Sequence, residues 1–245
     1  MLSSVSIVTI TQLSRFKSLQ ICLETIKQQT YTNIIEWVIV EGSPTIEDAI
    51  QSKKNIFTII DNNIPIKYIE FSGKKLGGLR NLGNDNCLGD IIICFDDDDY
   101  SLPIRIAHSV LMLQNNPTYF IGGVSDMYMY DFHFHHLFKF KYKIENHSTN
   151  NCMAYKKEYL LNNRYNEESI CGEEKEFTCH FTNPMIAFHP LYTIIAISHN
   201  NNTFDKEELC ADSLSRKIRY IQKVNCANIT KFIPLEIFEK MKQIY

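Results

Sequence analysis

The chain has 245 residues, of which 44% are hydrophobic and 22% charged, and its formal net charge is −3. This composition supplies enough apolar residues for the core of one globular domain and excludes a largely disordered chain. Nine glycines and seven prolines exclude collagen-like and Gly/Pro-rich classes, and the mild acidity argues against a nucleic-acid-binding protein.

The N-terminal segment MLSSVSIVTI has no basic region, and serine and threonine interrupt its apolar run. We therefore expect no secretory signal, and no run of about eighteen apolar residues predicts a membrane span. The eight cysteines contain no Cys-x-x-Cys pair, which favours reduced thiols in a cytoplasmic protein over a zinc site.

Strands and helices alternate along the first half of the chain. Four runs rich in Ile and Val predict strands, at residues 5–10, 34–40, 64–71 and 90–95. Ser14 is predicted to cap the first helix, whose apolar stripe contains Phe16, Leu19, Cys22, Leu23 and Ile26. Further helices are predicted at 45–57, 79–88 and 103–115, with a loop at 73–78 and Pro103 at the first position of the last helix. This alternation predicts an α/β fold with a mostly parallel sheet flanked by helices.

The pattern changes after residue 118. The aromatic and histidine-rich segment at residues 127–145 predicts short strands that form a hairpin, which we favour over a metal site at its histidines His133, His135 and His136. From Leu137 onward, Phe138, Phe140, Tyr142 and Ile144 alternate with Lys139, Lys141 and Lys143, as in a half-buried strand. Helices near 156–163 and 173–181, a strand at 191–198 and an amphipathic helical tail complete the prediction.

Four consecutive aspartates, residues 96–99, follow the buried strand DIIICF. Open parallel sheets bind ligands beyond the carboxyl ends of their strands. Two like charges ~4 Å apart repel by about 4 kcal/mol at an effective dielectric near 20, so the run predicts a bound Mg²⁺ or Mn²⁺. In extended backbone Asp96 and Asp98 would face one side, and Asp97 and Asp99 the other. The alternative is an exposed acidic turn or helix cap.

Four blocks of sequence, in order and with matching spacing, resemble family 2 glycosyltransferases of the GT-A fold. They are VSIVTITQLSRFKSLQICLETIKQQTYTNIIEWVIVEGSP, GLRNLGNDNCLGDIIICFDDDDYSLPIRI, GEEKEF and HNNNTF. The second block is similar to the family's Arg-Asn-x-Gly helix and DXD-bearing strand, and the third to its Glu-Asp motif. The resemblance covers residues 4–205 and implies one GT-A domain over 1–245. Its parts would be a nucleotide-sugar half (1–117), an acceptor and catalytic half (118–205) and a helical tail (206–245).

The resemblance also implies roles for individual residues. Asn81 would hold a loop, and the metal would be bound by Asp98, Asp96 and His199, with Asp97 and Asp99 as second choices. Glu174 stands at the family's catalytic aspartate, preceded by Glu173, and Glu41 stands where the family usually has Asp. Nucleotide-sugar contacts are implied for Thr9, Thr11, Glu41, Arg80, Asp96 and Asp97.

The resemblance thus implies an inverting, Mn²⁺- or Mg²⁺-dependent glycosyltransferase. The donor would be a nucleotide sugar, a UDP-sugar first, and the acceptor a glycan, protein or lipid-linked sugar. No particular oligomeric state is indicated. Glu at positions 41 and 174 leaves open a catalytically weakened domain that binds nucleotide sugars or glycans. A nucleotidyltransferase is disfavoured because ITQLSRF contains no Gly-rich phosphate-binding loop.

Overall fold

The computed structural model describes residues 2–60, 64–141, 145–200, 202, 206–225 and 228–245. In these residues two β-sheets share the core with helices. The strands are β1 Val5–Thr11, β2 Ile34–Glu41, β3 Ile66–Ile69, β4 Ile91–Cys94, β5 Tyr100–Ser101, β6 Ile121–Gly123, β7 Tyr128–Asp131, β8 His136–Phe140, β9 Ala154–Lys156, β10 Met185–Ala187, β11 Ile194–Ser198 and β12 Ile221–Lys223. The α-helices are α1 Phe16–Lys27, α2 Ile46–Ile59, α3 Leu76–Asp85, α4 Arg105–Asn115, α5 Glu174–Phe177, α6 Glu207–Leu214 and α7 Leu235–Lys242.

The larger sheet has the strand order β10-β6-β9-β4-β1-β2-β3. β1 lies parallel to both β2 and β4, and β2 lies parallel to β3. β9 is antiparallel to β4 and β6, while β10 is parallel to β6. The α/β class and the mostly parallel central sheet are therefore as predicted. Strands from residues 118–205 complete the sheet that the first half begins; the division into 1–117, 118–205 and 206–245 stays a prediction.

Helices cover both faces of this sheet, which explains why its central strands read as continuous apolar runs. Side chains of α1, α2 and α4 pack on one face, including Leu19, Ile56 and Val110. On the other face, α3 packs beside an aromatic cluster that contains Tyr155 and Phe177. Alternate residues of β1, β2 and β4 enter these two cores.

The second sheet has the order β12-β8-β7-β11-β5. Its β7 and β8 form the predicted aromatic hairpin, and β11 runs parallel to β7. Phe138 and Phe140 are buried, while Lys139 is half-buried and Lys141 exposed. The continuation of this pattern, Tyr142, Lys143 and Ile144, lies outside the described residues. The predicted amphipathic tail packs on this domain through α7, whose Ile237, Phe238 and Met241 are buried.

Several predicted boundaries were wrong. Ser14 does not cap α1, because a 3₁₀ turn at Leu13–Arg15 precedes the helix and Arg15 occupies its N-cap. α4 begins at Arg105, two residues after Pro103. The third strand and the helices predicted at 156–163 and 173–181 are shorter, at Ile66–Ile69, the 3₁₀ segment Lys157–Leu161 and Glu174–Phe177.

Two further differences from the predicted elements concern the start of α3 and the C-terminal tail. α3 begins at Leu76, so Gly77 and Gly78 lie inside the helix and not in a loop. The tail at 206–245 is not wholly helical, since β12 pairs antiparallel with β8. Only three residues long, β12 is defined by this pairing and not by a pattern of its own.

Among the described residues, no helix combines the length and apolar character needed to cross a membrane.

Candidate active site

The candidate active site lies where β1, β2 and β4 end at one edge of the larger sheet. Thr11 is the last residue of β1, Glu41 is the last of β2, and Asp96 follows β4 by two positions. Because these three strands are parallel, their carboxyl ends meet, as in other open α/β sheets that bind ligands there.

After β4 the chain turns, and three of the four aspartates converge. Asp96, Asp98 and Asp99 each present a ligand atom within 4.8 Å of the other two. Asp97 points elsewhere: it accepts a hydrogen bond from the Thr11 hydroxyl at 2.7 Å. As expected for alternating side chains, Asp97 faces away from Asp96 and Asp98. Asp99 was expected to face the same way as Asp97, but it joins Asp96 and Asp98, because the backbone here is turned and not extended.

Asp98 is the most heavily contacted carboxylate of the cluster. Its Oδ2 lies 3.3 Å from His199 Nε2 and accepts a hydrogen bond of 3.1 Å from Asn202 Nδ2. Arg15 Nη1 donates to both Asp98 Oδ2 and Asp97 Oδ1 at 3.0 Å. The structure thus brings His199 to the aspartates, as the sequence implied. Asn201, Thr203 and Phe204 of the same sequence block lie outside the described residues.

The charges of this cluster are only partly neutralised by protein groups. Burial, and then the charge of Asp98, raise the pKa of both Asp97 and Asp99 to about 7. Burial opposes the ionisation of Asp98 as well, but the His199 hydrogen bond and the Arg15 charge hold the pKa of Asp98 below its usual value. Three converging carboxylates and an imidazole nitrogen are donors that suit Mn²⁺ or Mg²⁺.

Arg80, on α3, connects the aspartates to the GEEKEF segment. Its Nε donates to Glu173 Oε1 at 2.5 Å, and its Nη1 lies 3.4 Å from Asp96 Oδ1. Although burial opposes the charged form, Asp96 and Glu173 raise the pKa of Arg80. Asn81 exchanges hydrogen bonds of 2.9 and 3.0 Å with the backbone of Tyr165, which fixes the loop that leads toward Glu173.

The two adjacent glutamates have different surroundings. Glu173 is buried in its ion pair with Arg80. Glu174 is half-buried, and within the described structure its carboxylate forms neither an ion pair nor a hydrogen bond with another residue. Burial, and then the charge of Glu173, raise the pKa of Glu174. An available carboxylate with a raised pKa has the properties of a general base.

Thr9 and Glu41, whose donor contacts stay a prediction, are both hydrogen-bonded inside the protein. The Thr9 hydroxyl is buried and accepts a hydrogen bond from Trp37 Nε1 at 2.9 Å. Glu41 is fully buried and accepts hydrogen bonds from Ser43 N at 2.8 Å and from the Tyr68 hydroxyl at 2.7 Å. Both side chains are engaged in the interior, so neither faces an open cleft.

A cleft of about 250 Å³ adjoins the site on the side of Arg80. Sequence reasoning identified Thr11, Arg80, Asp96 and Asp97 on its wall but missed Arg15, since an arginine four positions after a strand has no distinctive signal. The remaining wall is formed by Ile10, Gln12, Gly42, Lys74, Leu76, Leu79 and Ile170.

Comparison with known proteins gives relatives of one kind. The O-antigen biosynthesis glycosyltransferase WbnJ of Escherichia coli is 29% identical over 106 residues, which are 43% of this chain and 40% of that protein. The chain therefore spans less than half the length of this curated relative.

Solved structures show the same fold at low sequence identity. The mannosyltransferase PcManGT from Pyrobaculum calidifontis, in complex with GDP-Man and Mn²⁺, has a TM-score of 0.62 at 13% identity and matches 83% of this chain and 59% of its own. S. aureus TarS 1–349, in complex with UDP-GlcNAc, has a TM-score of 0.56 at 14% identity and matches 82% and 60%. The fold is accordingly that of GT-A glycosyltransferases.

The sequence profile described as glycosyl transferase family 2 matches residues 6–186, about three-quarters of the chain. This range contains all of β1 except Val5, together with β2 to β4, the aspartate cluster, Arg80, Glu173 and Glu174. The aspartate cluster at the strand ends, the ion pair between α3 and Glu173, and the profile agree, and the chain belongs to glycosyl transferase family 2.

Proposed function

We propose that this protein is an inverting, metal-dependent glycosyltransferase that transfers a sugar from a UDP-sugar to a hydroxyl group of a glycan, protein or lipid-linked acceptor. The observation that carries the proposal is the placement of Glu174. Among the residues that the structure describes, this carboxylate forms no ion pair or hydrogen bond with another residue. It directly follows Glu173, the partner of Arg80, and Arg80 in turn contacts Asp96 of the aspartate cluster. In our proposal residues 1–245 form one domain with the parts 1–117, 118–205 and 206–245.

The nucleotide part of the donor would occupy the cleft beside Arg80. Thr11 and Asp97 border this cleft, and Arg80 and Arg15 bring positive charge to it. Arg80 would stabilise the diphosphate as it leaves, because a fixed cation in a partly buried site lowers the energy of developing negative charge. Thr9 and Glu41 would act indirectly, by holding the ends of β1 and β2 through Trp37 and Tyr68.

Asp96, Asp98 and His199 would hold the divalent cation, with Asp99 as a further ligand. When bound, Mn²⁺ or Mg²⁺ would act as a Lewis acid toward the diphosphate oxygens. The protein's own part is to keep these donors together, which the hydrogen bonds from Asn202 and Arg15 to Asp98 do. By fold analogy, Mn²⁺ in PcManGT supports a divalent cation, and UDP-GlcNAc in TarS supports a UDP-sugar donor.

Glu174 would remove the proton from the acceptor hydroxyl as its oxygen attacks the anomeric carbon. Attack from the side opposite to the leaving diphosphate inverts the configuration at that carbon. Glu173 would keep Arg80 in place and would not itself take the proton, since its carboxylate is committed to the ion pair. The aromatic hairpin at β7 and β8 is proposed to border the acceptor, and a cytoplasmic location stays a prediction.

The test is hydrolysis of UDP-glucose, UDP-galactose and UDP-GlcNAc in the presence of Mn²⁺. The rate is measured as the amount of UDP released. We expect turnover of at least one donor by the unmodified protein. Glu174→Gln should lower the rate about 10²- to 10⁴-fold, the usual contribution of a general base. Glu176→Gln is the matched control, because Glu176 is exposed on the same short helix and its replacement should leave the rate unchanged.

Two outcomes would contradict parts of the proposal. Unchanged turnover by Glu174→Gln would remove Glu174 from the role of base. Binding of UDP-sugars by the unmodified protein with no turnover would favour the other function, a nucleotide-sugar-binding domain.

A further inference from the structure

The imidazole of His199 lies flat against the ring of Tyr245. Their ring centroids are 3.9 Å apart and the ring planes differ by 10°. The side chain of His199 is only 3% exposed. One face of the imidazole is therefore covered by an aromatic ring, while its Nε2 edge faces Asp98 at 3.3 Å.

Tyr245 is itself held from two directions. Its hydroxyl donates a hydrogen bond of 2.8 Å to Ser18 Oγ on α1. Its backbone N–H donates to Met241 O at 2.9 Å, which continues the path of α7. The ring position is thus fixed by α1 and α7 together, and not by contacts with His199 alone.

α7 is firmly docked on the rest of the domain. The Phe238 ring stacks on Phe132 at 5.8 Å and meets the edge of Tyr130 at 5.2 Å. Lys240 Nζ lies 2.7 Å from Glu24 Oε1 on α1. A helix anchored by a buried aromatic cluster and an ion pair can place the Tyr245 ring with little freedom.

We propose that Tyr245 is a positioning residue, which keeps the imidazole of His199 turned toward Asp98 so that Nε2 is ready to bind the metal. This inference rests on the proposed function, because the metal belongs to it. The physical basis is orientation: Asp98 and Asn202 contact the Nε2 edge of the imidazole at 3.3 and 3.1 Å, and the Tyr245 ring restricts rotation of the imidazole plane. Groups that orient a metal ligand commonly change metal affinity without touching the metal.

The test is the dissociation constant of Mn²⁺, measured by electron paramagnetic resonance with UDP present. We expect Tyr245→Ala to raise the constant about 10-fold or more, the lower end of the range for residues that orient ligands. Tyr245→Phe keeps the ring and should stay close to the unmodified protein. Lys242→Ala, which removes an exposed ion pair within α7, is the matched control and should leave the constant unchanged.

A double-mutant cycle separates positioning from a general loss of structure. In a His199→Ala background the imidazole is gone, so Tyr245→Ala should produce no further change in the Mn²⁺ constant. A purely structural role would add its effect in both backgrounds. In steady-state assays, Tyr245→Ala should raise the apparent KM for Mn²⁺ and approach the normal kcat when Mn²⁺ is saturating.

Mn²⁺ binding by the unmodified protein distinguishes failure of the proposed metal site from failure of the positioning role of Tyr245. If the unmodified protein binds no Mn²⁺ in the presence of UDP, the proposed metal site is wrong and the role of Tyr245 is wrong with it. If the unmodified protein binds Mn²⁺ and Tyr245→Ala binds it equally well, the metal site stands and only the positioning role is overturned.

Discussion

At the scale of single residues, environment distinguishes side chains of identical chemistry. Glu173 and Glu174 are neighbours in sequence, but one is committed to Arg80 and the other has no protein partner among the described residues. The four aspartates divide in the same way, with Asp97 turned toward Thr11 and the other three converging. Position relative to charged neighbours, and not residue type, decides the role that each carboxylate can take.

Glu174 predicts the pH dependence of the reaction. A general base works only when deprotonated, and burial and the charge of Glu173 raise the pKa of Glu174. Activity should therefore fall as the pH decreases through a value above ~4.3, the ordinary glutamate pKa. The measurement is kcat/KM for the donor against pH. Glu174→Asp should keep an acidic limb, whereas the residual activity of Glu174→Gln should lack it; the same limb in Glu174→Gln would assign it to another group.

The ion pair between Arg80 and Glu173 predicts an effect on stability. Arg80→Gln would leave the Glu173 carboxylate, 5% exposed, without its partner, at a cost of about 3–5 kcal/mol in the free energy of unfolding. The double variant Arg80→Gln, Glu173→Gln should recover most of this loss, because the buried glutamate charge is removed together with its partner. Urea unfolding measures both values.

A matched control is available for this experiment. Arg164 forms an ion pair of 2.7 Å with Asp85, but both side chains are about half exposed. Arg164→Gln should change the free energy of unfolding by only about 0–1 kcal/mol. Equal losses for the buried and the exposed pair would contradict the burial argument.

At the scale of elements, the sequence predicted those whose pattern is local and long. β1, β2 and α2 were found within a residue or two of their bounds, because apolar runs and turn residues delimit them. The predicted start of α3 was three residues too late, because two successive glycines are typical of a loop. β12 was missed because three residues carry no periodicity, and its pairing partner β8 is about eighty positions away.

Gly77 lies inside α3, where glycine weakens a helix, and the close approach of a neighbouring loop explains why glycine is needed there. A Cβ at this position would lie 1.9 Å from the backbone oxygen of Asn166, in the loop that continues to Ile170 and Glu173. Gly77→Ala should therefore push α3 and this loop apart and lower the free energy of unfolding by about 1–3 kcal/mol, as overpacking does. It should also weaken UDP binding, because Ile170 lines the cleft. Urea unfolding and calorimetric titration with UDP measure the two effects.

Gly78 provides the control on the same helix. A Cβ there would lie 3.1 Å from Lys74 Cβ and 3.2 Å from Lys74 Cδ, a tight contact but far less severe than the 1.9 Å approach at Gly77. Gly78→Ala should cost less than Gly77→Ala, since alanine also favours the helix by about 1 kcal/mol. A larger loss for Gly78→Ala would show that contact with the loop is not the reason for glycine at Gly77.

At the scale of the whole molecule, the site joins segments that are distant in the chain. The aspartates, Arg80 and the two glutamates could be located from sequence because each lies in a short pattern tied to an element. Arg15 and Tyr245 could not, because their significance arises only from contacts across 82 positions to Asp97 and 227 positions to Ser18. The donor contacts of Thr9 and Glu41 stay a prediction; the structure adds that both side chains form hydrogen bonds in the interior.

Because the site draws on both sheets and α7, filling it should stabilise the molecule as a whole. Mn²⁺ together with UDP, at about 100 times the dissociation constant, should add about 2.7 kcal/mol and raise Tm by about 5–11 °C for a domain of this size. A chelator should reverse the Mn²⁺-dependent part. Asp98→Asn should abolish that part, whereas Asp126→Asn, outside the site and paired with Lys139, should retain it. Equal shifts in both variants would place the cation elsewhere, since the proposed site contains Asp98, which His199, Asn202 and Arg15 contact.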